Sequence, residues 1–189
     1  MARVGLDERR VVDAAAAIAD ADGLPAATLS AVARDVGVRT PSLYKHVDSL
    51  AGLHRLLALR ALSELTAAMT EAATGRAGAE AVHAAAAAWR AYAHAHPGLY
   101  TAIAPYAPPT DGDADLDGAA AELIAALRAV LRAWPLDDDA IVDAIRGLRA
   151  AIHGYVTLER AGGFRLARDT DVSFRALIES LVAGLGPAA

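Results

Sequence analysis

The side chains best suited to binding chemistry lie close together between residues 28 and 47. Hydroxyl groups in this stretch can donate hydrogen bonds to phosphate oxygens, and cationic side chains add stronger donors. The hydroxyls belong to Thr28, Thr40, Ser42 and Tyr44, and the cations are Arg39 and Lys45. This set favours the recognition of phosphate groups.

Charge is unevenly distributed along the chain. The 189 residues carry 18 Lys and Arg against 23 Asp and Glu, a net charge of −5 that argues against general coating of nucleic acid. Residues 1–60 nevertheless carry eight basic against seven acidic side chains. The basic residues within 34–60 are Arg34, Arg39, Lys45, Arg55 and Arg60, against Asp35 and Asp48. Such a run is often only a solvated face, so its meaning depends on the fold around it.

The composition excludes several classes of function. The absence of cysteine excludes disulfides, thiolate nucleophiles and Cys-ligated zinc. Residues 113–118 begin like a calcium loop, but Ile124 stands where the bidentate glutamate is needed. No catalytic Ser/His/Asp arrangement is apparent, so we predict no enzyme activity and no metal or cofactor. No apolar run reaches the roughly 18 residues of a membrane span, and no signal peptide is recognisable, so we expect a cytoplasmic protein without a membrane partner.

The elements that position these side chains are predicted to be helices throughout. Apolar residues recur at helical spacing, no strand pattern is present, and about a quarter of the residues are alanine, the best helix former. We therefore predict an all-α fold of about nine helices. The longest loop is expected to consist of Pro105, Pro108, Pro109 and the run Asp111–Gly118. The helices are expected at 7–22, 29–36, 41–47, 49–73, 79–95, 99–103, 119–134, 137–161 and 171–185.

The second and third of these helices form a predicted helix-turn-helix. Thr28 is a good N-cap for the first, Gly37 suits a left-handed residue after it, and Pro41 suits the first turn of the second. Leu43 and Val47 would hold the second helix against the core. In such a motif the second helix enters the major groove of DNA. The alternative is a short helix with a polar, solvated side.

The stretch from Thr28 to Val47 resembles the signature of the TetR family of one-component transcriptional regulators, and the likeness covers roughly residues 7–60. The shared features are a Thr cap, an apolar-Ala pair, a Gly-Val turn, and Leu-Tyr followed by a basic residue and His. Here they are Thr28, Val32-Ala33, Gly37-Val38 and Leu43-Tyr44-Lys45-His46. Val47 replaces the usual Phe, and Leu50 stands where the family often has Lys.

The resemblance implies an Ω-shaped homodimer that binds a double-stranded DNA operator and a small-molecule effector. We divide the chain into a helix-turn-helix domain at 1–48 and a ligand-binding and dimerisation domain at 49–189. The family's phosphate-contacting positions fall on Thr28, Tyr44 and His46. Its base-reading positions fall on Arg39, Thr40, Pro41, Ser42 and Lys45. The function implied is a repressor that a ligand releases from a palindromic operator; the alternative is a helical small-molecule binding protein that has lost DNA binding.

The C-terminal half carries candidates for the ligand site and the dimer interface. Aromatic and polar side chains predict the ligand site, although they could equally fill the core: Trp89, Tyr92, His96, Tyr100, Ile103, Tyr106, Trp134, Arg149 and His153. Arg146, Arg149 and His153 share a helix face that would suit an acidic or hydrogen-bonding ligand, unless the arginines are only solvated. The last two helices carry apolar stripes, and in the family these helices form the dimer bundle. The predicted dimer contacts are Leu148, Ile152, Phe174, Leu177, Ile178 and Leu181.

Overall fold

A computed structural model describes residues 6–103 and 112–187. Within these ranges it contains α-helices and two short 3-10 helices, and no strand, which confirms the predicted all-α fold. The α-helices are α1 (Glu8–Asp22), α2 (Leu29–Asp35), α3 (Leu50–Ala73), α4 (Gly78–Ala95), α5 (Pro97–Ile103), α6 (Ala114–Leu131), α7 (Asp138–Arg160) and α8 (Thr170–Gly184). The 3-10 helices are Leu24–Ala26 and Thr40–Lys45. Among the described helices, none is both long and apolar enough to cross a bilayer.

Several helices begin at an oxygen-bearing side chain that accepts a backbone hydrogen bond. Thr28 accepts from the amide of Ala31 at 3.2 Å, which confirms the predicted cap of α2. Asp137 accepts from the amide of Ala140 at 2.8 Å at the start of α7. These bonds satisfy amides that have no partner inside the helix, so the local sequence fixes where each helix starts.

Helix α6 begins at Ala114, inside the segment predicted to be the longest loop. Asp113 accepts a hydrogen bond from the Leu116 amide at 3.2 Å, and Asp115 and Asp117 lie in the first turn, where carboxylates complement the positive end of the helix dipole. The loop prediction was therefore wrong for residues 114–118. A run of aspartates at a helix N-terminus has the same composition as a polar loop.

The chain divides into two compact units, and each unit combines two separate segments of the sequence. The first unit comprises the residues up to Ser63 together with Ala95–Ala120, and the second comprises Glu64–His94 together with the residues from Ala121 onward. The predicted helix-turn-helix therefore shares a compact unit with α5. The predicted division into a DNA-binding domain at 1–48 and a ligand-binding and dimerisation domain at 49–189 is a division by function, and it stays a prediction.

In the first unit, α1 and α5 approach each other closely. A Cβ atom added to Gly98 would lie 2.1 Å from both the carbonyl carbon and the carbonyl oxygen of Ala19. Asp20 of α1 accepts hydrogen bonds from the amides of Gly98 (2.9 Å) and Leu99 (3.0 Å), and its other oxygen lies 2.9 Å from Nδ1 of His96. A side chain of α1 thus caps the N-terminus of α5.

Ion pairs also join α3 to distant parts of the first unit. Nη2 of Arg55 lies 2.6 Å from Asp113 and 2.7 Å from Asp115, and Arg60 lies 2.6 Å from Asp13. The hydrogen bonds with Asp113 and Asp115 raise the pKa of Arg55, and the bond from Arg55 lowers the pKa of Asp113. Arg55 therefore holds the start of α6 to α3.

In the second unit, Arg90 of α4 is the centre of a polar cluster. Its guanidinium pairs with both carboxylate oxygens of Glu159 at 2.6 and 2.8 Å and with Asp171 at 2.8 Å. It also lies 5.8 Å from the ring centroid of Tyr155 and 5.0 Å from that of Phe174. Because these partners belong to α7 and α8, one side chain fixes three helices together.

Replacement of Gly98 by Ala is expected to destabilise the protein by about 2–3 kcal/mol, because the new methyl group overlaps backbone atoms of α1 that cannot move aside easily. The matched control is Gly118→Ala in α6, where an added Cβ meets nothing within 4 Å. That change should stabilise the helix by roughly 0.5–1 kcal/mol. Urea unfolding measures both, and equal effects from the two substitutions would contradict the close α1–α5 contact.

The contribution of Glu159 to stability should depend on pH. Hydrogen bonding from Arg90 is the largest cause that lowers the pKa of Glu159 from 4.5 to about 2, and His94 adds to it. Because the folded state has the lower pKa, this contribution is complete above about pH 4.5 and is lost as the pH falls towards 2.

We therefore expect the wild type to exceed Glu159→Gln in unfolding free energy by about 3 kcal/mol near pH 6 and by about half of that near pH 3. Urea unfolding at each pH measures the difference. Glu71→Gln, at an exposed position of α3, is the control and should show no such trend. A difference for Glu159→Gln that stays constant between the two pH values would contradict the ion pair.

Candidate nucleic-acid interface

The predicted second helix of the helix-turn-helix is a 3-10 helix, Thr40–Lys45, followed by a turn. The amide of Ser42 donates to the carbonyl of Arg39 at 2.8 Å, and that of His46 donates to Leu43 at 2.8 Å, both bonds spanning three residues. The expectation of an α-helix to residue 47 was therefore wrong in type and in its end. We call Thr40–Lys45 the recognition segment.

Two apolar side chains anchor the recognition segment. Leu43 is fully buried and Val47 is almost fully buried, as predicted from the sequence. On the other side, Tyr44 is 55% exposed, which is high for a large aromatic side chain. The segment therefore buries one apolar face and presents a polar face with an aromatic ring to the solvent.

The turn before the recognition segment has a defined geometry. Gly37 has a φ of +74°, a conformation that side chains other than glycine rarely adopt. The Gly37 amide donates to the carbonyl of Arg34 at 3.3 Å, and the Val38 amide donates to that of Ala33 at 2.9 Å. These two bonds form a Schellman motif, which ends α2 and fixes the direction in which the chain leaves it.

The structure places the eight predicted DNA-binding residues in two groups. Five are exposed on or beside the recognition segment: Arg39, Pro41, Ser42, Tyr44 and Lys45. The other three are half-buried: Thr28, Thr40 and His46. The Thr28 oxygen accepts the Ala31 amide as the cap of α2 and lies 3.1 Å from Ser30 Oγ. Direct contact of these side chains with DNA stays a prediction.

The positive charge is more localised than the sequence indicates. Carboxylates that are distant in sequence pair with Arg55 and Arg60, so these two cations are partly neutralised. Arg34, Arg39 and Lys45 are exposed at or next to the turn and the recognition segment. The cationic surface of the basic stretch therefore coincides with the helix-turn-helix.

The structure places the predicted ligand residues in both units. Trp89, Tyr100 and Trp134 are buried, and the indole nitrogen of Trp134 donates to the Gly186 carbonyl at 3.0 Å. The remaining described members are the buried Tyr92 and Ile103, the half-buried His96 and Arg149, and the exposed His153. His96, Tyr100 and Ile103 belong to the first unit and the others to the second, while Tyr106 lies outside the described residues.

Three described cavities lie in the second unit, and none is lined by a predicted ligand residue. The largest of them, with a volume of 440 Å³, lies between α3 and α6 and includes Thr66 in its wall. The sequence reasoning missed this cavity because it searched for aromatic side chains, whereas alanine and threonine form much of the wall. Threonines at helical spacing, Thr66, Thr70 and Thr74, were the available signal.

Most of the predicted dimer contacts are internal to the protomer. Leu148, Ile152, Phe174 and Ile178 are buried within the chain, and α7 packs on α8. Their contact with a second chain stays a prediction. Leu177 and Leu181 are half-buried. An apolar stripe shows that a helix face is covered, but it does not show which element covers it.

Comparison with known proteins identifies relatives that are similar in sequence and solved structures that are similar in fold. Residues 82–181 match the family model for the tetracyclin repressor-like C-terminal domain. The chain is 36% identical over 185 residues to Rv0681 of Mycobacterium tuberculosis, described as an uncharacterised HTH-type transcriptional regulator, covering 95% of this chain and 82% of the relative. It is 30% identical over 184 residues to YobS of Bacillus subtilis, described in the same words, covering 97% and 94%.

A solved structure shows the same fold at lower sequence identity. It is a single-residue variant of TetR from Acinetobacter baumannii in complex with minocycline, with a TM-score of 0.70 and 22% identity. The similarity covers 95% of this chain and 96% of that protein.

Proposed function

This chain belongs to the TetR family of HTH-type transcriptional regulators, and from that premise we propose that it is a repressor that a small molecule releases from a palindromic DNA operator. The observation that carries the proposal is the recognition segment, which is anchored by Leu43 and Val47 and exposes its polar face. We further propose that the protein is cytoplasmic, has no enzyme activity and binds no cofactor.

The resemblance to the TetR signature implies the proposed roles of the DNA-binding side chains. Tyr44, Thr28 and His46 would donate hydrogen bonds to phosphates and set the position of the protein on the duplex. The base edges would be read by Arg39, Thr40, Pro41, Ser42 and Lys45. A cationic side chain here suits the acceptors of guanine in the major groove, and the pyrrolidine ring offers an apolar contact to a thymine methyl group.

We propose that the effector acts through helix α3, which begins three residues after Val47. An effector that binds one arrangement of this helix more tightly would change the population of the DNA-binding form. The complex of the Acinetobacter TetR variant with minocycline supports an effector of this kind. We keep the functional division at residues 1–48 and 49–189 as part of this proposal.

We propose that the protein is a homodimer and that the outward faces of α7 and α8 form its interface. Added Cβ atoms at Gly147, Gly154 and Gly184 would meet nothing within 4 Å, although glycine inside a helix lowers stability. Gly147 also borders a shallow apolar groove of 250 Å³ together with Leu181 and Leu185. Glycine at exposed helical positions permits close approach of a second helix, and a two-fold dimer matches a palindromic operator.

Operator binding should require the recognition segment. DNA fragments selected from the genome by the protein should share a palindrome, and Tyr44→Ala and Lys45→Ala should each bind it roughly ten- to a hundredfold more weakly. Lys45→Ala should also reduce the salt dependence of binding, because one phosphate or base contact is lost. Gel-shift titration at several salt concentrations measures both effects.

Arg128→Ala, at an exposed cation of α6, is the matched control and should leave the affinity unchanged. If the wild type binds no selected fragment while it still binds small molecules, the protein is instead a helical binding protein without DNA-binding function.

The dimer should separate when a bulky charge is placed on the outward face of α7. Gly147→Arg is expected to convert the dimer to a monomer in sedimentation, because the arginine occupies the space that the second chain needs and buries its charge there. Ala87→Arg, at an exposed position of α4, should sediment like the wild type. If Gly147→Arg and Ala87→Arg both sediment with the mass of the wild-type assembly, the proposed interface is contradicted.

A further inference from the structure

The chain contains a single lysine, and that lysine lies in the recognition segment. Lys45 is the only lysine among the 18 Lys and Arg residues, and every other basic residue of that count is an arginine. It is the last residue of the 3-10 helix and is exposed. A guanidinium stays protonated in proteins, whereas a lysine amine can lose its proton and act as a nucleophile. The surface that we propose for DNA binding therefore carries the one side-chain amine of the chain.

The amine of Lys45 is open to reagents in solution. Within residues 6–103 and 112–187, Lys45 takes part in no hydrogen bond and no ion pair. Two arginines of the same basic stretch, Arg55 and Arg60, are instead held by aspartates. A reagent can therefore approach Nζ of Lys45 from the solvent without displacing another side chain.

The fold separates Lys45 from the side chains that anchor the recognition segment. Leu43 is fully buried and Val47 is almost fully buried, and Lys45 lies between them in sequence but on the exposed side. A chemical change at the tip of Lys45 thus alters charge and hydrogen bonding on the outer face, while the buried contacts stay as they are. Modification at this position can change binding without unfolding the segment.

We propose that Lys45 is an acylation site at which a reactive acyl donor, an acyl phosphate or an acyl thioester, switches off DNA binding. The neutral Nζ attacks the carbonyl carbon of the donor and forms a C–N bond, while the C–O bond to phosphate or the C–S bond to the thiol breaks. The leaving group takes the bonding electron pair, and the nitrogen loses a proton to water. The product amide is uncharged and has one N–H donor, where the ammonium had three.

The consequence for DNA binding rests on the proposed function, whereas the reaction itself does not. Loss of one cation removes one contact to DNA and the counterion release that accompanies it. The acylated protein should bind the selected palindrome roughly ten- to a hundredfold more weakly, and the slope of its salt dependence should fall by about one. Because DNA covers Nζ in the complex, the operator should also slow the acylation of Lys45.

The test treats the full-length protein with acetyl phosphate in one arm and acetyl-CoA in the other, and then with hydroxylamine, which removes acetyl groups from hydroxyls and imidazoles. Peptide mass spectrometry should find a stable acetyl group on Lys45, and the reacting arm identifies the donor class. The melting temperature should not change, and gel shifts should show the loss of operator affinity. In Lys45→Arg, the same treatment should add no side-chain acetyl group and should leave the operator affinity of that variant as it was before treatment.

A variant with the amine on another surface is the matched control. The double substitution Lys45→Arg with Arg128→Lys places the amine at an exposed position of α6. This protein should accept an acetyl group at residue 128 without any change in its operator affinity, and operator DNA should not slow that reaction.

Three results would count against the inference. Absence of an acetyl group on Lys45 with both donors would overturn the site. Complete acetylation of Lys45 without loss of operator affinity would overturn the switch, as would an equal loss in the variant acetylated at residue 128. If the untreated wild type binds no operator, the proposed function fails and the switch with it, while the mass of the Lys45 peptide still decides whether the acylation site exists.

Discussion

The burial of Leu43 and Val47 is the constraint on which the candidate interface depends. A six-residue 3-10 helix has few hydrogen bonds of its own and is not stable alone in water. Two buried side chains on one side and the Gly37 turn on the other hold it in one orientation. The position of Tyr44 and Lys45 is therefore a property of the packed core beneath them rather than of the segment itself.

Local patterns in the sequence were sufficient to predict the helices and much of the helix-turn-helix. Apolar spacing and capping residues act within a few positions, so the cap at Thr28 and the buried Leu43 could be recognised. The start of α6 could not, because Asp113 acts there as a cap in a run that also reads as a loop. The sequence also did not show that Thr40–Lys45 is a 3-10 helix. The two helix types differ only in whether each amide bonds to the carbonyl three or four residues earlier.

Other features that the sequence did not reveal depend on contacts between distant residues. Asp20 caps α5 from a position more than seventy residues earlier in the chain. Arg55 forms an ion pair with Asp113, which lies 58 residues later in the chain. These contacts place α5 and the start of α6 in the compact unit that contains the recognition segment. The stripes of α7 and α8 contain buried residues, as expected, but periodicity carries no information about which element covers a face, so their role in a dimer stays a prediction.

The same two helices, α3 and α6, take part in both the ion pair and the cavity. Arg55 joins them in the first unit, and their later turns line the cavity in the second. The ion pair is partly exposed, and such pairs contribute little energy, so it acts as an orientation constraint. The proposed regulation requires that a ligand bind unequally to two arrangements of α3, since a ligand that binds both equally shifts neither.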